Sequence, residues 1–269
     1  MNPFAANHGD VVKHLLLCEV LAAKPEVPLS YVDAYAGRPF NRVSDQSFRF
    51  AFRQGDRGWA DSFMRAVDGS GTDLDRSAYA TALRRGHPGG EFWTTEGLAT
   101  DPLYPGSVGF VWLLRRQTTT AWVCAERDEA DQRLLKELLG QEAVVNDLVG
   151  DDLRWRFLNP PVGHRQVVLV DPFNLARRAS EAERDGRFAL EAARRGSQVL
   201  AWYPIGRRFE QAVVDQLAVS APLATGFAVR WPPEPDSSLE GCGLLTWNLG
   251  AELIGHVEQL LAGLGALPF

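Results

Sequence analysis

Long apolar runs are missing from this chain, and cysteine and lysine are scarce. No stretch approaches the roughly 18 apolar residues that a membrane-spanning helix needs, so no membrane partner is expected. The three cysteines (Cys18, Cys124 and Cys242) form no C-x-x-C pair, which favours buried thiols over a disulfide framework or a thiolate metal site. The N-terminal MNPFAANHGDVVKH is too polar for a secretory signal, and the sequence therefore predicts a cytoplasmic protein.

Several motifs of common enzyme classes are also absent. There is no G-x-G-x-x-G fingerprint, no P-loop and no G-x-S-x-G nucleophile elbow. His8 and His14 lack the i, i+4 spacing of a helical metal pair, so we expect no metal. A net charge of −6 does not favour nucleic acid as a partner, because phosphate contacts normally come from a basic face.

The chain has 269 residues, of which 45% are hydrophobic and 23% charged, as in an ordinary globular protein. Strand-like and helix-like segments alternate, which predicts an α/β doubly wound sheet. We expect a core from residues 1–43 and 102–269, with an inserted helical subdomain at 44–101. Helices are predicted near 9–23, 104–116, 129–140, 180–195, 207–219 and 251–264, and strands near 29–33, 118–126, 144–150, 165–174, 198–205, 225–231 and 241–249.

Acidic residues stand near the ends of four predicted strands, where a doubly wound sheet binds its ligands. They are Asp33, Glu126, Asp147 and Asp171. Asp33 opens a small-residue loop that ends in Gly37, which either admits a nucleotide-like ligand or forms a plain turn. Glu126 can accept hydrogen bonds from the two hydroxyls of a ribose. The alternative is that it is only an acid at the start of the next helix.

The segment VLVDPFN is the most informative motif. A strand buried on both faces delivers Asp171 to the sheet edge, and Pro172 leaves a free carbonyl beside it. Two adjacent acceptors can hold the two N–H groups of an exocyclic amine while its lone pair faces an electrophile. Phe173 offers a face for stacking and Asn174 a polar contact, whereas the alternative is a simple D-P turn.

Two further features complete the predicted site. YPGS starts a helix at which Ser107 and free backbone N–H groups can meet a ligand carboxylate or only cap the helix. Arginines follow several predicted strands, Arg38 and Arg177 among them. They make one face locally basic for an anionic substrate, or they are solvated surface.

Taken in order, these motifs resemble the bacterial large-subunit ribosomal RNA adenine-N6 methyltransferases of the RlmJ group. The matching stretches are ANHGDVVKH, YVDAYAG, YPGS, the strand ending in Glu126, VLVDP, the WYP of QVLAWYPI, and GCG. The resemblance implies a class I S-adenosylmethionine (SAM) fold, Rossmann-like, with an extra helical subdomain.

The resemblance also implies roles for individual residues. It places SAM contacts on His14, Tyr35, Ser107 and Glu126 and near Gly150, and the catalytic carboxylate on Asp171. With the residues singled out above, the predicted site has three parts: cofactor contacts at His14, Asp33, Tyr35, Gly37, Ser107, Glu126, Gly150 and Asp151, a catalytic pair at Asp171 and Pro172, and substrate contacts at Phe173, Asn174, Arg38 and Arg177. Tyr35 replaces the family's usual histidine. The family's D-P-P-Y is D-P-F-N here, and Asn174 cannot stack on a base as tyrosine does.

Three functions are consistent with this pattern. The first is a metal-free RNA adenine-N6 methyltransferase that uses SAM and releases S-adenosylhomocysteine (SAH). The second is a SAM-dependent enzyme acting on a small amine-bearing metabolite, which the D-P-F-N loop and the acidic composition motivate. The third is a catalytically silent SAM- or RNA-binding module.

Overall fold

The computed structural model describes residues 8–42, 73–85, 93–94, 97–98, 103–140, 143–146, 158–171, 179–206, 224–230, 240–263 and 267–268. The chain divides into two units. The first unit comprises Met1–Lys24, Arg38–Arg116 and Ala251–Pro268, and the second comprises Pro25–Gly37, Gln117–Gly250 and Phe269. The predicted inserted subdomain at 44–101 lies mostly outside the described residues and stays a prediction.

Helices and strands alternate along the described residues. The helices are α1 (His8–Ala22), α2 (Ala78–Arg84), α3 (Ser107–Arg115), α4 (Glu129–Leu139), α5 (Ala179–Arg194) and α6 (Ala251–Gly263). The strands are β1 (Leu29–Asp33), β2 (Phe40–Arg42), β3 (Trp93–Thr94), β4 (Gly97–Leu98), β5 (Leu103–Pro105), β6 (Thr119–Ala125), β7 (Val144–Asn146), β8 (Arg165–Val170), β9 (Gln198–Ile205), β10 (Thr225–Arg230), β11 (Gly241–Trp247) and β12 (Leu267–Pro268). The predicted helix at 207–219 lies outside the described residues.

The second unit is built on a mostly parallel sheet. Its strands lie in the order β10-β11-β9-β8-β1-β6-β7. β1 pairs in parallel with β6 and β8, and the pairs β6–β7 and β8–β9 are also parallel. β11 runs antiparallel to both β9 and β10. The predicted α/β fold is therefore confirmed, with one antiparallel strand near the edge.

The centre of this sheet is covered on both faces. Every residue of β1 is buried, and so are the last five residues of β8, which matches the unbroken apolar sequence VVLV. On one face, Phe188, Ala189 and Ala192 of α5 belong to the same core cluster as Val168 and Val170 of β8. The carboxyl ends of the central strands are thus held by a packed core.

The first unit differs from expectation at α1. The spacing of its apolar residues predicts an amphipathic helix, but residues 11–21 are buried on every side. The reason is that α2, α3 and α6 all pack against it. Its polar residues remain inside because they have partners: Lys13 pairs with Asp10 at 3.0 Å, and Glu19 accepts a hydrogen bond from the backbone N–H of Ala78.

A short antiparallel pair in the first unit was not predicted. β2 pairs with β5, with Asn41 opposite Tyr104. Among the described helices, none is long and apolar enough to cross a membrane. The three cysteines are all buried, as the sequence predicted.

Candidate functional site

Two acidic residues stand in equivalent positions on either side of β1 in the second unit. In the parallel ladders, Asp33 is the partner of Cys124 on β6 and of Leu169 on β8. Glu126 and Asp171 each follow two residues after those partners, just beyond the ends of their strands. Two strand spacings separate them, so their backbones lie about 10 Å apart at one edge of the sheet.

The Glu126 carboxylate is fixed by the turn that follows β6. Its Oε1 accepts hydrogen bonds from the backbone N–H groups of Arg127 at 2.6 Å and Asp128 at 2.8 Å. Within the described residues, no hydrogen bond occupies Oε2. The side chain is partly exposed. One oxygen therefore orients the group, and the other is available to a ligand hydroxyl.

Asp33 has a different role in the structure, because protein groups use both of its oxygens. Oδ2 accepts a hydrogen bond from the Tyr31 hydroxyl at 2.8 Å, and Oδ1 accepts one from the backbone N–H of Tyr35 at 3.0 Å. The residue is fully buried. In this arrangement, Asp33 shapes the loop that follows β1.

That loop continues the hydrogen bonding of β1 to the strands on both sides of it. The N–H of Ala34 donates to the carbonyl of Leu169, and the N–H of Ala36 donates to the carbonyl of Ala125, both at 2.9 Å. Gly37 then adopts φ of +60°, a left-handed conformation that favours glycine. A side chain at position 37 would meet no atom within 4 Å, so the glycine is required by backbone conformation and not by space.

Tyr35 projects from the same loop towards α5. Its hydroxyl donates a hydrogen bond to Oδ2 of Asp185 at 2.7 Å. Asp185 is buried, and the sequence reasoning missed it because it is one acid among several in a charged helix. The only hint of its role in the sequence is Tyr35, which stands where the family that the sequence resembles usually has a histidine.

The first unit contains a buried chain of polar rings around His14. Nδ1 of His14 lies 3.0 Å from the Tyr104 hydroxyl, which lies 3.1 Å from the Tyr79 hydroxyl. Phe110 packs against all three rings. Burial, and then the nearby charge of Lys13, lower the pKa of His14 well below its usual range, which favours a neutral imidazole. Nε2 of His14 has no hydrogen-bond partner within the described residues.

YPGS forms the junction of β5 and α3 in the first unit. Gly106 is the N-cap residue and has no side chain to cap the helix, and Ser107 is the first residue of the helix. The N–H of Gly106 donates to the carbonyl of Pro39. A Cβ atom at Gly106 would lie 2.4 Å from the carbonyl oxygen of Arg38. Close backbone approach therefore explains this glycine.

The remaining predicted site residues fall outside the described part of the chain. They are Gly150, Asp151, Pro172, Phe173, Asn174 and Arg177, together with Asp147, one of the four acids near predicted strand ends. The second unit thus brings together Asp33, Tyr35, Gly37, Glu126 and Asp171, whereas His14, Ser107 and Arg38 belong to the first unit. Among the described residues, no group of three or more histidine, cysteine, aspartate or glutamate side chains is arranged to hold a metal ion.

Comparison with known proteins shows similarity in structure only. No protein-family model matches the chain, and no curated protein matches it. The chain is similar to the crystal structure of protein LPL1258 from Legionella pneumophila str. Philadelphia 1, described as family-model DUF519, with a TM-score of 0.73. The match has 18% sequence identity and covers 98% of this chain and 97% of that one. At this identity it shows the fold alone.

Proposed function

We propose that this chain is a SAM-dependent methyltransferase that methylates an exocyclic amine, with adenine N6 of ribosomal RNA as the acceptor. The observation that carries the proposal is the placement of Glu126 and Asp171 after the two strands that flank β1. In doubly wound sheets, ligands bind beyond the carboxyl ends of the strands, where the strand order reverses. Here the order reverses at β1 and β8.

The strand order supports the class I SAM fold that the sequence resembles. From β7 the sheet runs through β6, β1, β8 and β9, which is the order of a doubly wound nucleotide-binding sheet. The antiparallel strand β11 then lies between β9 and β10.

The residues at the sheet edge fit this donor. The open Oε2 of Glu126 is an acceptor for the hydroxyls of a ribose, and Gly37 adds no side chain of its own to the neighbouring loop. His14 and Ser107, in the first unit, stay predictions from the resemblance.

SAM, when bound, supplies an electrophilic methyl group on a positively charged sulfur and leaves as the thioether SAH. The role we assign to Asp171 is to accept a hydrogen bond from an N–H of the acceptor, which holds the nitrogen lone pair towards that methyl group. Positioning of this kind supplies most of the rate enhancement, and the displaced proton can pass to solvent after transfer. Pro172, Phe173 and Asn174 complete the proposed acceptor contacts.

The first prediction concerns SAH affinity, measured by calorimetry. In Glu126→Gln, the amide oxygen keeps the hydrogen bonds from the backbone N–H groups of the turn. The amide N–H₂ group then takes the place of Oε2 and cannot accept a hydrogen bond from a ribose hydroxyl. We expect about tenfold weaker binding, as for the loss of a hydrogen bond to a charged group. Glu129→Gln, an exposed acid on the following helix, is the matched control and should bind like the wild type. Wild-type protein without affinity for SAH or SAM would reject the proposal.

The second prediction separates catalysis from binding. Asp171→Asn should abolish transfer of a radiolabelled methyl group to RNA while SAH affinity stays within about twofold of the wild type, because the acid acts on the acceptor. Undiminished turnover in this variant would exclude the assigned role of Asp171.

Net charge −6 and the D-P-F-N sequence favour a second candidate, a SAM-dependent enzyme acting on a small amine-bearing metabolite. Labelled transfer to a small-molecule extract and none to deproteinised ribosomal RNA would establish it. SAM binding without transfer to any amine would instead identify a silent binding module.

A further inference from the structure

The Tyr35 hydroxyl ties the loop after β1 to a buried acid on α5. The 2.7 Å distance to Asp185 Oδ2 is that of a well-formed O–H···O hydrogen bond. Asp185 is only 1% exposed, whereas Tyr35 is partly exposed at the sheet edge. A buried carboxyl group needs hydrogen-bond partners, so this contact serves both residues.

A neighbouring cation reinforces the pair. Nε of Arg184 lies 3.7 Å from Oδ1 of Asp185, and Nη2 of the same guanidinium lies 3.5 Å from the Tyr35 hydroxyl. The two side chains therefore sit beside one positive charge. This arrangement restricts the rotation of the Tyr35 ring about its own side-chain bonds.

The backbone of Tyr35 is fixed as well. Its N–H donates to Asp33, and the residues on either side of it bond to β8 and β6. Hydrogen bonds therefore hold both the backbone and the side chain of Tyr35 at the edge where Glu126 and Asp171 follow their strands. The backbone anchors come from the neighbouring strands, whereas the side-chain anchor comes from α5.

α5 is also the helix that follows the D-P-F-N segment in the chain. It begins at Ala179, shortly after Asp171. The hydrogen bond between Tyr35 and Asp185 therefore joins the loop after β1 to α5. We assign that loop to the methyl donor, and α5 follows the segment that we assign to the acceptor.

We infer that Asp185 is a positioning residue for the methyl-donor site and that it acts through the hydroxyl of Tyr35. The inference rests on the proposed function, since it concerns affinity for SAM and SAH. It goes beyond that function because neither the sequence motifs nor the resemblance assigns a role to Asp185. Tyrosine at position 35 is what makes this anchor available, because phenylalanine has no hydroxyl to donate.

The test is a double-mutant cycle of SAH affinity with Tyr35→Phe, Asp185→Asn and the double variant, measured by calorimetry well below their unfolding temperatures. Tyr35→Phe should weaken binding about five- to tenfold, the range expected for one hydrogen bond. Asp185→Asn keeps an acceptor and should weaken binding about threefold, because its amide oxygen accepts a weaker bond. In the double variant, the Asp185 change should add nothing to the effect of Tyr35→Phe.

A spectroscopic readout tests the contact itself. With tyrosine labelled at ¹³Cζ, five signals are expected, and the one lost in Tyr35→Phe belongs to Tyr35. That signal should shift in Asp185→Asn. Glu183→Gln, which breaks an exposed ion pair with Arg187 on the same helix, is the matched control and should change neither the signal nor the affinity.

The outcomes are distinct. Wild-type protein that binds SAH, with Tyr35→Phe binding equally well, overturns the inference and leaves the proposed function intact. If the double variant loses affinity by the product of the two single effects, the inference is also overturned, since Asp185 would then act independently of Tyr35. Absence of SAH binding by the wild type overturns the proposed function and the inference together.

Discussion

His14 is the residue whose environment gives the clearest pH dependence. Burial holds its pKa below the usual value of about 6.5, so above that pH the imidazole is neutral in both the folded and the unfolded chain. As the pH falls below 6.5, the unfolded chain takes up a proton that the folded chain does not. The free energy of unfolding should therefore fall, by at most about 1.4 kcal/mol per pH unit, until the lowered pKa is reached.

A pair of variants isolates this effect. His14→Leu and Tyr104→Phe both remove the hydrogen bond between these residues, but only His14→Leu removes the ionisable group. Urea denaturation between about pH 7 and pH 5 should show a smaller loss of stability for His14→Leu than for the wild type. Tyr104→Phe should keep the steeper dependence. Equal slopes in both variants would contradict a neutral buried His14.

The positions of individual candidate residues could be predicted from sequence where a strand places them at the sheet edge, and their roles stay predictions. Glu126 and Asp171 were found because apolar strands end just before them. Asp185 was not found, since its partner Tyr35 lies 150 residues away and no local pattern links them. Tyr79 escaped for the same reason, because its contact with Tyr104 joins segments 25 residues apart.

At the scale of one element, α3 contains a glycine that the packing requires. A Cβ atom at Gly109 would lie 2.2 Å from the carbonyl oxygen of Pro39, a backbone atom that cannot move aside easily. Gly255 in α6 has no atom within 4 Å of the corresponding position. Both are helical glycines, so their conformational cost is the same and only their surroundings differ.

Alanine substitution should therefore have opposite effects at these two glycines. Gly255→Ala should stabilise the protein by up to about 1 kcal/mol, the helix-propensity difference. Gly109→Ala should destabilise it by about 1–3 kcal/mol, because overpacking exceeds that gain. Chemical denaturation of both variants measures this. A stabilising Gly109→Ala would mean that α3 does not approach Pro39 so closely.

Most long elements could be predicted from periodicity and turn residues. β8 was found because its apolar residues are consecutive, and β1 was found because a turn precedes it and a loop of small residues follows it. The pair of β2 and β5 was not found, because each has three residues and their partners are about 60 positions apart. The exposure of α1 was overestimated because buried polar residues such as Glu19 have partners that only the packed helices supply.

At the scale of the whole molecule, the formal charge constrains how an RNA acceptor can bind. A net charge of −6 repels a polyanion, so attraction to RNA must come from arginines concentrated on one face, and the sequence predicts this role for Arg38 and Arg177. Binding through phosphate contacts releases counterions and weakens as salt increases. A small neutral amine has no such dependence, and salt therefore distinguishes the two acceptor classes.

The last prediction uses this difference. For as few as two phosphate contacts on a single strand, kcat/KM for RNA methylation should fall about sevenfold when the salt concentration is raised fourfold. Arg177→Gln should lower the rate at low salt and flatten the dependence, because one phosphate contact is lost. SAH affinity measured in the same buffers should change little, which separates the acceptor from the donor. A rate on RNA that is independent of salt would count against phosphate recognition and favour the small-amine acceptor.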